Sequence, residues 1–363
     1  MIGAMIAMGL LALGLSYLAT PLMQRLAAAT GMLDIPGRHK VHAQPIPLLG
    51  GCAILVAILL PSLLAMSLVR YWAATECPAW LERTGLAIHV PGAAAKSGQA
   101  MIILLGAVAM HMLGLIDDRR NLGPWIKLLV QFVIVSAVVL IADVRVLTLA
   151  GPAVSAVASV IWLVAIVNAF NFLDNMDGLS AGVAAICAAA LLAAAASLGQ
   201  LFVSAWLCLL LGALLGFLPY NFHPARTFMG DAGSLVIGYF LGALTCLTTY
   251  VPPDGAYYAY HLIVPLVLMA VPLYDTASVI LLRLRERRNP MVGDRRHFSH
   301  RLLRRGMKVR TAVLTIYLCT AGTAISASLL PHVRDNVGAV LVLAQTVIIL
   351  LIIALLEGGD SKS

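Results

Sequence analysis

The sequence predicts an all-α, polytopic integral membrane protein with about 11 transmembrane helices. Its 363 residues are 61% hydrophobic and only 11% charged, and the mean hydropathy is +0.96. Because a soluble domain carries about 25% charged residues, this composition excludes a soluble globular chain. Several apolar runs reach the roughly 20 residues that a bilayer-spanning helix needs. The loops between them are too short for a separate domain, so we expect residues 1–363 to form a single transmembrane domain.

The apolar runs give the order of the predicted helices. The first run has no Lys or Arg before it and is far longer than the apolar region of a signal peptide. We therefore predict that it stays in the protein as a helix whose N-terminus lies outside. The predicted spans are residues 2–22, 48–69, 99–116, 124–142, 152–170, 178–198, 200–220, 232–251, 261–282, 311–330 and 337–356.

The basic residues are divided unevenly between the two ends of these spans. The loops after odd-numbered spans, together with the C-terminus and Lys127, hold 19 of the 24 Lys and Arg residues. Because positive charge marks the cytoplasmic side, we predict an outside N-terminus, a cytoplasmic C-terminus and cytoplasmic odd-numbered loops. Such a face attracts anionic headgroups and anionic substrates, and we expect no nucleic-acid partner.

Acidic and carboxamide residues cluster at the predicted cytoplasmic ends of the spans. The clusters are Asp117–Asp118, the stretch NAFNFLDNMDGLSAG at residues 168–182, and Asp231. Carboxylates at the edge of a membrane are costly and are usually functional. A divalent cation would relieve their repulsion, and hard oxygen ligands suit Mg²⁺ or Mn²⁺. Together with the arginines of the same face, they fit a substrate made of a metal and a pyrophosphate.

Each cluster also has a structural explanation when it is taken alone. An Asp pair at a helix end can be a solvated cap, and Asn and Asp before Gly178 can form only a turn. The Arg run at 283–288 can be an anchor, and Asp275 can be the structural partner of an arginine. The six cysteines show no CxxC spacing and are expected to be small core residues. Taken together, the structural explanations are less convincing than the functional one, because all the clusters share one face.

Five sequence blocks, in this order, carry a resemblance to a known family. They are GRHKVHAQPIPLLGG, GLIDDRRNLGP, NAFNFLDNMDG, NFHPARTFMGDAGS and DRRHFSHRLLRRG. Over almost its whole length the chain resembles the polyprenyl-phosphate N-acetylhexosamine-1-phosphate transferases. The resemblance implies an eleven-helix fold in the bacterial inner membrane, with the active site in a cytoplasmic cleft. It also implies Mg²⁺ as cofactor, for which Mn²⁺ can substitute, and it is compatible with a homodimer.

The implied reaction moves a HexNAc 1-phosphate, by expectation GlcNAc 1-phosphate, from a UDP-sugar to undecaprenyl phosphate. UMP leaves, and the lipid-linked pyrophosphoryl sugar starts a cell-envelope glycan such as lipopolysaccharide. The resemblance assigns Asn171, Asp231 and Asp118 to the metal. It assigns catalytic roles to Asp117, Asp118, Asp174, Asp177, His297 and His300, and substrate binding to Lys40, His42, Asn168, Asn221, Phe228, Arg295 and Arg296.

The role of the Asp pair is left with two possibilities. In direct attack, the lipid phosphate displaces UMP, with Asp117 nearest the lipid and Asp118 nearer the metal. In a two-step route, an aspartate first takes the phosphosugar as a covalent intermediate. We favour direct attack, because a phosphate is already a competent nucleophile.

The sequence departs from the family pattern at three positions. Leu48, Asn121 and Ser299 stand where relatives often have Arg, Asp and His, which affects the expected sugar preference more than the reaction. The triple histidine of the branch that uses UDP-MurNAc-pentapeptide is absent.

An ion-coupled transporter is the other alternative, but transporters place carboxylates near the midplane and often contain inverted repeats. Here the acids lie at span ends and no repeat is visible.

Overall fold

The protein is almost entirely helical in the computed structural model, which describes residues 2–35, 44–251, 257–287 and 296–358. A two-residue antiparallel strand pair, β1 (Leu33–Asp34) with β2 (Ile46–Pro47), precedes the second helix. Short 3₁₀ turns cover Ala87–His89, Thr148–Ala150, Ala259–Ile263 and Leu330–His332. The α-helices are α1 (Ile2–Thr30), α2 (Gly50–Ala74), α3 (Ala79–Arg83), α4 (Val90–Ala95), α5 (Ser97–Arg120), α6 (Pro124–Ile141), α7 (Pro152–Leu173), α8 (Leu179–Ser197), α9 (Leu201–Asn221), α10 (Gly230–Leu247), α11 (Val264–Leu268), α12 (Ala270–Arg285), α13 (Phe298–Arg304), α14 (Val309–Leu329) and α15 (Asn336–Gly358).

The prediction of a polytopic all-α protein is confirmed. Within the described residues, 10 helices are long and apolar enough to cross a membrane, and an eleventh span is formed if one bent helix pair is counted as one. That pair is the ninth predicted span, which the sequence predicts as one span over residues 261–282. The segments Ala259–Leu268 and Ala270–Arg285 meet at 71°. Pro272 explains the break, because proline has no N–H to donate to the carbonyl of Leu268.

Helix α10 lies at the centre of the bundle and brings its first turn to the middle of one end. It packs against α2, α5, α7 and α8. Of its 18-residue apolar stretch, 89% is buried inside the protein. A helix that is apolar all round is expected in such a central place. By contrast, only 17% of the corresponding apolar stretch is buried in α1 and in α15. Many leucines and isoleucines of these two helices are exposed on the outside of the bundle.

The up-and-down order of the helices gathers the polar clusters at one end of the bundle. Helices α5, α7 and α9 finish there, and α6, α8 and α10 begin there. The Asp pair at the end of α5 therefore meets the loop after α7 and the first turn of α10. This arrangement brings together groups that are more than 100 residues apart in the sequence.

The end of α15 reaches the same region. The carboxylate of Glu357 accepts a hydrogen bond from the Tyr274 hydroxyl at 2.6 Å and forms an ion pair with Arg301 at 2.9 Å. Arg305 donates to the carbonyl of Glu357 at 2.9 Å. Arg301 lies on the short helix α13 and Arg305 directly follows it, so the last helix of the bundle supports α13 from the side.

Candidate active site

A cavity of about 880 Å³ opens at the end of the bundle where α5, α7 and α10 meet. Its wall includes Asp118, Asp174, Asp177, Asp231 and His300, which the sequence had placed in one site. Phe228 and Leu48 also line it. The cavity is therefore acidic on the side of the helix bundle and has apolar and basic groups around its opening.

Asp118 is fixed by the first turn of α10. Its two carboxylate oxygens accept the backbone N–H groups of Asp231 at 2.8 Å and Ala232 at 3.1 Å. The first N–H groups of a helix have no partner within the helix, so a carboxylate is stabilised there. Gly230 has a φ of +65°, and a Cβ at this residue would lie 2.5 Å from an Asp118 oxygen. Only glycine fits this approach.

The close packing of α5 on α10 has the same cause. Gly114 stands one turn before the Asp pair, and a Cβ there would overlap the backbone of Ala232. His111, on the preceding turn of α5, bonds the carbonyl of Ala232 at 2.9 Å through Nδ1. These contacts hold the end of α5 against the start of α10, and so they set the distance between Asp118 and Asp231.

Lys127 is the centre of the acidic cluster, a role that the sequence did not predict. Its ammonium lies 2.9 Å from Asp117, forms an ion pair with Asp231, and donates to the Asn171 carbonyl oxygen at 3.0 Å. Asn171 in turn donates to Asp231 at 2.8 Å. In the sequence Lys127 counted only as one more cytoplasmic charge. The missed signal is a single lysine in the first turn of an otherwise apolar span, facing the acidic clusters.

The donor set fits a hard cation such as Mg²⁺. Oxygens of Asp117, Asp231 and Asn171 already surround one positive charge, the Lys127 ammonium. Within the described residues no three His, Cys, Asp or Glu side chains converge on one point at ligand distance. Mg²⁺ is commonly held by one or two carboxylates, with water and substrate phosphates as the remaining ligands. Asp231, Asn171 and Asp118 can supply such a share.

Asp174 is the cavity residue with the most perturbed acidity. It follows the last residue of α7 and is half-buried on the cavity wall. Burial raises the pKa of its carboxyl well above the ordinary value, and the negative charges of Asp231, Asp118 and Asp177 raise it further. Asp174 is therefore able to hold a proton at a pH at which an ordinary aspartate is ionised.

Asp177 and Asn221 join the loop after α7 to the loop after α9. Asp177 accepts hydrogen bonds from His223 Nδ1 at 2.7 Å and from the Ala225 N–H at 3.0 Å. Asn221, which is 2% exposed, accepts from the Gly178 N–H at 3.2 Å and donates to the Thr227 carbonyl at 3.0 Å. Their polar atoms hold the cavity wall in place, and contacts of either residue with a substrate stay a prediction.

Phe228 is presented to the cavity by backbone bonds on both sides. Its N–H donates to the Pro47 carbonyl at 2.8 Å, and its carbonyl accepts from the Gly50 N–H at 3.0 Å. The block around residues 45–51 therefore supports Phe228, which is expected to bind substrate. Asn168 lies one turn deeper in α7 than Asn171 and donates to Gln131 at 2.6 Å. Its expected role in substrate binding stays a prediction.

The histidine block forms α13 and the turn before it. His300 lines the cavity, while His297 donates through Nδ1 to the Asp275 carboxylate at 2.8 Å. Arg296 forms an ion pair with Glu286. Asp275 thus bonds His297, while the alternative that it is the structural partner of an arginine stays untested. Lys40, His42 and Arg295 lie outside the described residues.

Two of the departures from the family pattern have local explanations. Ser299 donates a hydrogen bond to the Asn175 carbonyl oxygen at 2.6 Å, which joins α13 to the loop after α7. Asn121 ends α5 with a φ of +49°, a left-handed conformation that asparagine adopts more readily than most residues. The roles expected of the two members of the Asp pair stay predictions, but the structure gives them different surroundings. Asp118 is on the cavity wall, while Asp117 bonds the Leu122 N–H at 2.6 Å and Lys127.

Comparison with known proteins decides the family. A sequence profile described as glycosyl transferase family 4 matches residues 100–249, from α5 to the end of α10. A Bacillus subtilis (strain 168) protein named probable undecaprenyl-phosphate N-acetylglucosaminyl 1-phosphate transferase is 30% identical, over 86% of this chain and 80% of its own length. The chain belongs to glycosyl transferase family 4.

Other relatives extend the family 4 match over most of the chain. The decaprenyl-phosphate N-acetylglucosaminephosphotransferase of Mycolicibacterium smegmatis is 34% identical, over 85% of this chain and 78% of that protein. The undecaprenyl-phosphate alpha-N-acetylglucosaminyl 1-phosphate transferase of Salmonella typhi is 27% identical, over 83% and 77%. The family resemblance drawn from the five sequence blocks is thereby confirmed.

Proposed function

We propose that this family 4 protein transfers N-acetylglucosamine 1-phosphate from UDP-N-acetylglucosamine to a polyprenyl phosphate such as undecaprenyl phosphate. UMP is released, and a lipid-linked pyrophosphoryl sugar is formed. The observation that carries the proposal is the acidic cavity at the end of the helix bundle, together with the adjoining cluster in which carboxylate and carboxamide oxygens surround the Lys127 ammonium. The names of the relatives supply the substrate classes.

The site suits this reaction because the chemistry needs alignment more than activation. One phosphoanhydride replaces another, so the protein must mainly bring two phosphates together and neutralise their charge. Mg²⁺ held by Asp231, Asn171 and Asp118 would neutralise the charge of the diphosphate. Lys127 supplies a fixed positive charge beside the same oxygens. The arginines and histidines around α13 would bind phosphate and sugar.

The engagement of both aspartates favours direct attack by the lipid phosphate. All four carboxylate oxygens of Asp117 and Asp118 accept a hydrogen bond or ion pair. Such bonds stabilise the carboxylate and weaken it as a nucleophile. Asp174, with its raised pKa, is the acid placed to hold a proton that the lipid phosphate brings or loses.

The end of the bundle that carries the cavity is proposed to face the cytoplasm of a bacterial inner membrane. The polyprenyl tail is too apolar to leave the bilayer, so the lipid phosphate must be reached at the membrane surface. The catalytic groups lie at helix ends, which places them at that depth. The excess of Lys and Arg at the same ends supports the cytoplasmic side.

The test is UMP release by detergent-purified protein given undecaprenyl phosphate and UDP-N-acetylglucosamine. A chelator is expected to abolish turnover, and Mg²⁺ or Mn²⁺ to restore it. Asp231→Asn should lower the rate by about two orders of magnitude, which corresponds to roughly 3 kcal/mol. The matched control is Asp335→Asn, because Asp335 is an exposed carboxylate that bonds Gly338 N–H away from the cavity.

Three outcomes decide the proposal. Turnover with UDP-N-acetylglucosamine supports it, and turnover only with UDP-MurNAc-pentapeptide would replace the sugar. Absence of UMP release with every UDP-sugar would reject the transferase and favour a transporter.

Labelled UMP is expected not to exchange into UDP-sugar without lipid. Exchange that is lost in Asp117→Asn would instead show a covalent intermediate.

A further inference from the structure

Asp275 is a buried carboxylate that the proposed reaction does not yet use. It lies in the first half of α12 and is 0% exposed. One of its oxygens is 2.8 Å from His297 Nδ1, and the other accepts the Phe298 N–H at 2.9 Å. A carboxylate is rarely buried unless it is paired or hydrogen-bonded. Here both oxygens are directed to the start of α13.

The first of these bonds fixes a histidine ring. An Nδ1–H that donates to a carboxylate sets the tautomer and leaves Nε2 as the ring atom available for other partners. The ring of His297 also meets the edge of Phe172, with centroids 6.0 Å apart at 71°. Phe172 stands two residues before Asp174, so the imidazole is oriented against the same turn that forms the cavity wall.

The second bond caps α13. This helix has only seven residues, and its own N-cap residue, His297, makes no side-chain capping bond. Isolated helices of this length are unstable in water. Asp275 supplies the missing acceptor from another helix, and Ser278, one turn later, accepts from Arg301 at 2.7 Å. α12 therefore holds α13 at two points, with His300 between them on the cavity wall.

We infer that Asp275 is a positioning residue of the transfer reaction, which acts by orienting His297 toward the anionic substrate. The inference rests on the proposed function. Asp275 itself lies behind the histidine and does not need to touch a substrate. Its two bonds have separate effects, because one sets the ring and the other stabilises the helix. A variant that removes only the first effect can therefore separate positioning from structural support.

Asp275→Asn is that variant. Its carbonyl oxygen still accepts the Phe298 N–H, but its NH₂ group faces His297 and favours the opposite tautomer. We expect kcat/KM to fall by about 30-fold or more, because a wrongly oriented tautomer is costly in such pairs. In a His297→Ala background the same change should cost no more than about 3-fold, because the two residues act as one unit. Asp335→Asn is the control.

The outcomes separate this inference from the proposed function. If the wild-type protein releases no UMP, the proposed function fails. If the wild type and Asp335→Asn are active while Asp275→Asn is also fully active, only the inference fails. Losses in Asp275→Asn and His297→Ala that multiply in the double variant would overturn it too, because they would show independent roles.

A measurement on the wild-type protein guards against a variant that does not fold. In protein labelled with ¹⁵N-histidine, the His297 resonances are assigned by their absence in His297→Ala. The inference expects a proton on Nδ1, in a strong hydrogen bond. A neutral ring with the proton on Nε2 only would overturn it, whatever the activity of the variants.

Discussion

Lys127 offers the sharpest perturbation of the acidic cluster. Replacing it with methionine keeps most of the apolar stem and removes the ammonium that lies between Asp117, Asp231 and Asn171. Asp117 and Asp231 then lose the positive charge that they share. We expect the variant to be much less stable than the wild type when no divalent cation is present.

The magnitude follows from the geometry. Two unit charges 2.9 Å apart, as between Lys127 and Asp117, attract by about 6 kcal/mol at an effective dielectric constant of about 20. The desolvation of both groups offsets part of this. Removing one partner of a buried pair costs about 3–5 kcal/mol. The lower end applies here, because the side chain of Lys127 is 12% exposed and that of Asp231 is 29% exposed.

The assay is reversible unfolding in mixed micelles, followed by circular dichroism, with chelator and then with Mg²⁺. Lys127→Met should lose about 3 kcal/mol of unfolding free energy in chelator. Mg²⁺ at about 100 times its Kd should return up to about 2.7 kcal/mol by binding the folded state. The matched control is Lys308→Met, which removes an exposed lysine before α14. If the two variants are equally stable in chelator, Lys127 does not neutralise the cluster.

Three further predictions concern orientation, acidity and the basic segment. In a cysteine-free background, a cysteine at exposed Ala95 should react with an impermeant maleimide in intact cells and one at exposed Arg304 should not; the reverse would place the cavity outside. The pKa of Asp174 is raised, so between its ordinary pKa and its folded-state pKa the folded state holds more protons than the unfolded state. The free energy of unfolding in chelator should therefore fall as pH rises through that window. Asp174→Asn should remove this dependence and be more stable at neutral pH, and an unchanged profile would contradict the assignment. Arg283→Ala should impair transfer, because Arg283 is buried over the Phe172 ring, whereas Arg285→Ala, which removes an exposed charge, should be nearly neutral; equal effects would indicate a role in topology alone.

The sequence predicted the helices well because hydropathy reports a property of each segment alone. The bend after Leu268 was missed for the same reason. A hydropathy average detects the apolar run 261–282 but not the Leu268 carbonyl, which Pro272 leaves without a backbone N–H donor. The orientation of the termini depends on the membrane, which is a separate matter from the packing of the helices, and it stays a prediction.

The site was predictable where several residues of one chemical type cluster in the sequence. Asp118, Asp174 and Asp231 were placed in one cavity because they end or begin neighbouring spans. Lys127 was missed because a single lysine at a membrane surface has an ordinary explanation. The sequence did not pair Asp275 with His297, because the two residues are far apart along the chain and only the fold brings them together.

The bonds of Glu357 have a consequence for the biosynthesis of the protein. Translation proceeds from the N-terminus, so the helices that form the cavity leave the ribosome long before the last turn of α15. Until residue 357 has emerged, Arg301 and Arg305 have no partner at this carboxylate and carbonyl. A nascent chain can thus hold its acidic cavity in the membrane while α13 lacks its final support. A chain that is released before Glu357 is made would occupy the membrane with a weakened site, and full activity would require synthesis to continue through this residue.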